Sequence, residues 1–264
     1  MRTIRKTIIM GILNLTPDSF SDGGAYYNVD LALERANTMI LQGADIIDVG
    51  GESTRPGAEK VHSDEEWERL RDVLTQFRKD KRITVSVDTY KSSVASKAIS
   101  AGVRIINDVW GGMKDPEMIP LIASSDCKYI WTYNNETPIF NNVIDDLNQW
   151  TERIIIECSK RGMDSDRLWI DPGIGFNKSH VQNMQILAGL QNYCSNFKDY
   201  NVVLGTSRKS VIGNILKVPP SDRLEGSLCT VALGVSAGVS VVRVHDVLQT
   251  KRTCEMTEAI LAYS

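Results

Sequence analysis

Apolar residues along the chain fall into two alternating patterns. Short continuous apolar runs recur, separated by stretches in which apolar residues return every three or four positions. Ile8 to Leu13 is the first run, of a length that suits a strand covered on both faces. Val29, Leu33, Ala36 and Ile40 then share one helical face, Gly43 follows as a left-handed cap, and Asp45 to Val49 is the next strand. Ser63 and Glu66 have the spacing of a capping box ahead of a stripe of Trp67, Leu70, Leu74 and Phe77. Ile83 to Val87 reads as a third strand; Val94, Ala98 and Ala101 mark a helix ended by Gly102, before a fourth strand at Arg104-Ile105-Ile106. A short helix over Pro116 to Ser124 leads to a strand over Lys128 to Tyr133. A long helix carrying Val143, Leu147, Trp150 and Ile154 leads to a strand over Arg167 to Ile170. The last units are helix Val181 to Tyr193, strand Asn201 to Gly205, helix Leu224 to Ala237, strand Val241 to Val244 and helix Leu248 to Ala262.

Eight strand–helix alternations without a linker or a break in composition predict an α/β fold. The expected form is one (β/α)8 TIM barrel over residues 1–264. An open doubly wound sheet is the alternative. It would show a glycine fingerprint after the first strand, and Met10-Gly11-Ile12-Leu13-Asn14 is not one.

Composition narrows the function. The 264 residues carry a net charge of -3 with no basic run, which argues against nucleic acid as a partner. No apolar stretch approaches the length of a membrane span, and the first residues lead into a strand rather than a cleavage site. Five cysteines, none closer than 25 residues to the next, suit reduced thiols of a cytoplasmic protein rather than a disulfide frame or a zinc site.

A barrel carries its chemistry at the carboxyl ends of its strands. Those ends are Asn14, Gly50-Gly51-Glu52, Asp88, Asn107-Asp108, Tyr133-Asn134, Asp171, Ser207-Arg208-Lys209, and Arg243 with His245. Any one polar residue there can simply terminate an apolar run. Eight polar ends together, with carboxylates and cations among them, read as a site. Asp88, Asn107 and Asp171 offer acceptors that suit a flat heterocycle with several N–H groups. Asn14, Arg243 and His245 suit phosphate oxygens, and Arg243 and His245, two apart on one strand, point the same way. The mixture reads as heterocycle plus pyrophosphate. Thr16-Pro17-Asp18-Ser19, with Phe20 and Asp22-Gly23-Gly24 behind it, reads as a lid near Asn14. The loop Gly51 to Gly57 brings Arg55 within reach of an anion, and Val211-Ile212-Gly213 reads as a short helix after Ser210. Both of these first two loops are expected to be mobile without ligands.

Seven blocks then carry a resemblance. Asn14 to Gly24 (NLTPDSFSDGG), Gly50 to Gly57 (GGESTRPG), Val87-Asp88-Thr89, Ile106-Asn107-Asp108, Asp171 to Phe176 (DPGIGF), Ser207-Arg208-Lys209-Ser210 and Arg243-Val244-His245-Asp246 resemble, in order and over nearly the whole chain, the signature of the dihydropteroate synthase family. The resemblance implies a transferase that joins 6-hydroxymethyl-7,8-dihydropterin pyrophosphate to p-aminobenzoate, giving dihydropteroate and pyrophosphate. It implies that Asp88, Asn107, Asp171 and Lys209, with Phe176, hold the pterin, and that Arg243 joins them in catalysis. It implies that Asn14, Arg55, Arg243 and His245 bind pyrophosphate, with Mg2+ between Asn14 and the phosphates. Phe20, Thr54, Arg55, Pro56, Phe176, Lys209 and Ser210 would form the p-aminobenzoate pocket. A cytoplasmic homodimer built through late helices, including Leu228 to Val235, is also implied.

One departure is visible. After the fifth strand the family commonly has Met-His, where this chain has Thr132-Tyr133, which alters one wall of the pterin slot. Two other readings compete. A pterin-dependent methyltransferase of the same superfamily would share the acidic slot but not need the two loops or the Ser-Arg-Lys block. A non-catalytic pterin-binding paralogue would have no use for a pyrophosphate clamp.

Overall fold

The computed structural model describes residues 5–16, 29–53, 60–137 and 142–263. Its strands are β1 (Ile8–Asn14), β2 (Ile46–Gly50), β3 (Val85–Asp88), β4 (Ile105–Asp108), β5 (Lys128–Thr132), β6 (Leu168–Asp171), β7 (Asn201–Leu204) and β8 (Val241–Val244). All pair in parallel and in chain order, and β8 pairs with β1 to close the barrel. The helices are α1 (Val29–Leu41), α2 (Ser63–Phe77), α3 (Ser92–Ser100), α4 (Met118–Ala123), α5 (Val143–Lys160), α6 (His180–Ala188), α7 (Leu190–Asn196), α8 (Ser210–Leu216), α9 (Leu224–Ala237) and α10 (Val247–Leu261). The (β/α)8 barrel expected from the alternation is therefore the fold.

Side-chain alternation along the strands sorts the core into two parts. Ile9, Leu13, Ile47, Val49, Val87 and Ile106 face outward with their counterparts on the other strands and pack under the helices. Met10, Ile46, Ile105, Ile130, Trp169, Val203 and Val241, with Ile8, fill the inside as an apolar plug. Each such side chain contributes about 1.5–3 kcal/mol on burial, so the plug both stabilises the barrel and seals its amino-terminal end. The chain emerges from the plug toward the carboxyl-terminal mouth, where the polar positions lie.

The boundaries correct some expectations. The capping box at Ser63 is not formed: His62 is the cap, its Nδ1 accepting from the Asp64 amide at 3.4 Å. Glu66 is instead fully buried and paired with Lys91, so an ion pair inside has displaced the cap outside. A true capping box occurs at Ser179 and Gln182, at the start of α6. The single helix expected over Val181 to Tyr193 is two, parted at Gly189. Gly43 and Gly102 do turn through φ of +102° and +100°, as helix-ending glycines should. Among the described residues no helix is long and apolar enough to cross a membrane. The five cysteines are free thiols, four of them buried.

Candidate active site

Two residues beyond the plug on β2, β4, β5, β6 and β8 the inward positions turn polar, on β7 a glycine stands there, and on β1 Met10 leads to the apolar Ile12. Ile46 leads to Asp48, Ile105 to Asn107, Ile130 to Thr132, Trp169 to Asp171, Val203 to Gly205 and Val241 to Arg243; β3 places Asp88 at the same depth. Asp48, Asp88, Asn107, Thr132 and Asp171 are all buried. One step further out stand Asn14, Gly50 and His245.

The two glycines show how closely these groups converge. A Cβ on Gly205 would lie 3.7 Å from Asp171 Oδ2, 3.8 Å from Lys209 Nζ and 3.9 Å from Arg243 Cβ. A Cβ on Gly50 would lie 3.6 Å from Asp88 Cβ and 3.7 Å from Asn14 Oδ1. The missing side chains leave the space that a ligand between these groups would need.

Burial without full compensation sets the electrostatics. Asp88 Oδ2 accepts from Arg243 Nη2 at 2.5 Å, while Asp88 Oδ1 is buried with no hydrogen-bond partner. Burial pushes the Asp88 carboxyl up to about 7, against the pull of Arg243. Asp171 Oδ1 accepts from the Gly173 amide at 2.7 Å; burial raises this carboxyl too, opposed by the nearby charge of Lys209. Lys209 Nζ donates to the Ile174 carbonyl at 2.5 Å and stands 4.2 Å from the ring centre of Phe176. Burial pulls its ammonium down to about 8, with Asp171 holding it up. The site thus holds ionisable groups pushed toward neutrality from both sides, a usual property of reacting centres.

Lys209 is placed by a strained residue. Arg208 has φ of +60°, and three contacts enforce it. Its amide donates to Ser227 Oγ at 3.0 Å, its carbonyl accepts from Arg223 Nη1 at 2.9 Å, and its Nε donates to Asp246 Oδ2 at 3.0 Å. Ser207, on the other side, lies 3.0 Å from His245 Nδ1, so the β7 and β8 ends are tied together. Ser210 opens the short helix α8, as expected.

The altered wall after β5 is resolved by parity. Tyr133 follows the strand on its outer face, where its hydroxyl donates to Asp146 Oδ2 of α5. Thr132 alone takes the inward place beside Asp171, with which it pairs in register. Phe20, Thr54, Arg55 and Pro56, and the mobility expected of their loops, lie outside the described residues.

Three features went unread in the sequence. Asp48 sits inside an apolar run, where its odd polarity and its parity with Gly50 were the available signal. Lys178 donates to three backbone carbonyls beside Asp171, and no spacing announces it. Lys91 joins Glu52, Glu66 and the Val61 carbonyl at the base of the loop after β2.

The chain is similar to known proteins over nearly its whole length. Residues 10–245 match the pterin binding enzyme family. The dihydropteroate synthase of Bacillus subtilis is 44% identical over 256 residues, covering 97% of this chain and 89% of its own. That of Clostridium beijerinckii is 41% identical, covering 97% and 95%. A dihydropteroate synthase of Clostridium difficile solved in the presence of pteroic acid superposes with a TM-score of 0.93 at 42% identity, covering 98% and 99%. One from Xanthomonas albilineans solved with 4-aminobenzoic acid gives 0.91 at 35% identity, covering 97% and 94%. The barrel is thus that of a pterin-binding enzyme. More narrowly, the chain belongs to the dihydropteroate synthase family, whose members are transferases.

Proposed function

We propose that the mouth of this barrel joins 6-hydroxymethyl-7,8-dihydropterin pyrophosphate to p-aminobenzoate, releasing 7,8-dihydropteroate and pyrophosphate. The observation that carries the reading is the convergence of Asp171, Lys209 and Arg243 around Gly205, beside the unpartnered Oδ1 of Asp88. A buried acceptor without a donor is costly unless a ligand supplies one.

In this reading Asp88, Asn107 and Asp171 accept from pterin N–H groups, with Lys209 and Phe176 at the edge of the ring. Arg243, His245, Asn14 and Arg55 take the phosphates. Phe176, Lys209 and Ser210, with Phe20, Thr54, Arg55 and Pro56, receive p-aminobenzoate. The carbon–oxygen bond to pyrophosphate breaks with its electron pair leaving on oxygen. The methylene left behind is cationic and conjugated with the dihydropterin, and Asp171 favours that charge electrostatically. The aniline lone pair then forms the carbon–nitrogen bond, and the nitrogen sheds its proton to solvent. No strong base is required.

Mg2+ fits the donor set. Asn14 offers one carboxamide oxygen at the mouth, near Gly50 and Asp88, and Mg2+ characteristically combines few protein oxygens with substrate phosphates and water. When bound it supplies positive charge to the leaving group.

The late helices support a homodimer: Leu233 on α9 and Met256 and Ile260 on α10 are each at least 60% exposed. Free scattered thiols fit a cytoplasmic setting.

The test is a continuous assay of pyrophosphate release. Turnover should require both substrates and Mg2+, and dihydropteroate should accumulate in equal amount. A folded protein that turns over neither substrate in the presence of the other would overturn the reading.

A further inference from the structure

Asp48 is buried inside the barrel, and its two oxygens are unequally used. Oδ2 accepts from Arg243 Nε at 2.6 Å and from Asn107 Nδ2 at 3.1 Å. Oδ1 is buried and has no hydrogen-bond partner. The guanidinium of Arg243 is therefore divided, its Nε edge on Asp48 and its Nη2 on Asp88.

These two bonds reach side chains with different tasks. By accepting from the Asn107 amide nitrogen, Asp48 decides which way that amide faces and turns its carbonyl oxygen elsewhere. By holding Arg243 through Nε, it leaves the Nη edge able to change partner. A buried guanidinium that left Asp88 with no second carboxylate would become an uncompensated charge, which is strongly unfavourable. With Asp48 in place it keeps its counter-charge throughout.

We infer that Asp48 is a positioning residue for both substrate halves, orienting the Asn107 amide toward the pterin and anchoring Arg243 while its other end passes from Asp88 to pyrophosphate. The inference rests on the functional reading above.

Its charge also reaches Asp88. The ionisable groups facing Asp88 are Arg243, Asp48, Glu66, Asp108 and Lys209. Asp48 is a like charge that raises the Asp88 carboxyl and competes with it for the same guanidinium. Neutralising Asp48 therefore lowers the Asp88 pKa.

The test is Asp48→Asn, which keeps the shape and one acceptor oxygen. Calorimetric dissociation constants for a phosphate-free pterin and for Mg2+–pyrophosphate should each rise about tenfold, as for one weakened hydrogen bond to a charged group. The KM for p-aminobenzoate should stay within about twofold. The acid limb of kcat/KM for the pterin substrate should move to lower pH, which loss of structure alone would not produce. Unchanged binding of both ligands, or an unmoved acid limb, overturns the inference. A second measurement needs no variant: the Arg243 Nε–H resonance of wild type should stay protected from exchange with and without Mg2+–pyrophosphate. Its loss of protection on adding that ligand would equally overturn it. Wild type that binds neither pterin nor pyrophosphate would overturn the functional reading, and the role of Asp48 with it.

Discussion

Lys178 Nζ stands 4.3 Å from the ring centre of Tyr133 and donates to the carbonyl oxygen of that same residue at 2.8 Å. Its other two N–H groups reach the carbonyls of Gly173 and Phe176 at 2.9 and 3.0 Å. Three donors meet three acceptors, and the end of β5 is clamped to the turn that follows Asp171. Burial pulls the ammonium down to about 7, yet a neutral amine would leave one carbonyl without a donor. Lys178→Met keeps the packing and removes all three bonds. It should cost about 2–4 kcal/mol of folding stability, because buried carbonyls lose their partners. Denaturant titration checks this, and a cost below about 1 kcal/mol would show that the clamp is dispensable.

Asp88 gives a pH dependence with a definite sign. Its folded pKa, about 7, lies above the ordinary carboxylate value, so the folded state holds a proton that the unfolded chain has released. The contribution to stability is full below the unfolded pKa and is lost as pH rises through about 7. Asp88→Asn removes this titration. The stability of wild type minus that of the variant should therefore fall between pH 4 and 8, read from melts across that range; a flat difference contradicts the shift. Pterin affinity should move oppositely, rising with pH, because the ionised carboxylate is the better acceptor.

Asp171→Asn conserves shape but turns one of two acceptor oxygens into a donor facing pterin N–H groups. The loss in transition-state stabilisation should be about 2–4 kcal/mol, as for one preorganised electrostatic group. Steady-state kinetics with both substrates measure it. A variant within a few-fold of wild-type kcat/KM would reduce Asp171 to holding the Gly173 amide.

The barrel was legible in the sequence because its strands are buried on both faces and therefore read as unbroken apolar runs, each stopped by a polar residue. Asp88, Asn107, Asp171 and Arg243 could be named for the same reason: they end, or nearly end, those runs. Asp48 was lost because it interrupts a run instead of ending it. Only parity, counted from Ile46, shows that it faces inward. Lys91 acts on groups distant in sequence, and Lys178 on the carbonyls of distant Tyr133 and of nearby Gly173 and Phe176; bonds to backbone carbonyls and to far carboxylates leave no periodic trace. Thr132 and Tyr133 looked like one altered wall. Parity divides them, Thr132 toward the slot and Tyr133 toward Asp146. The capping box at Ser63 failed because Glu66 found a stronger partner in Lys91.

The division of Arg243 between Asp48 and Asp88 changes what its replacement should do. A guanidinium lost from a purely anionic clamp would weaken a pyrophosphate-bearing pterin and spare a pterin without phosphates. Here Arg243 also pulls the Asp88 carboxyl down. In Arg243→Gln that pull disappears, and the Asp88 pKa rises above about 7. At pH 7 the variant then carries a protonated Asp88, and both ligands lose an acceptor. At a pH above that raised pKa Asp88 is ionised again, and the phosphate-free pterin recovers most of its affinity. The pyrophosphate-bearing pterin does not recover, because the charged hydrogen bonds to its phosphates are still missing. That residual loss should be about 1.5–3 kcal/mol, one to two decades in affinity. Calorimetric titration of both ligands at pH 7 and at a pH above the Asp88 pKa of the variant, with a melt to establish that the variant is folded, measures all four values. Equal losses for the two ligands once Asp88 is ionised would mean that Arg243 serves only its carboxylate neighbours, and that the phosphates are held elsewhere in the mouth.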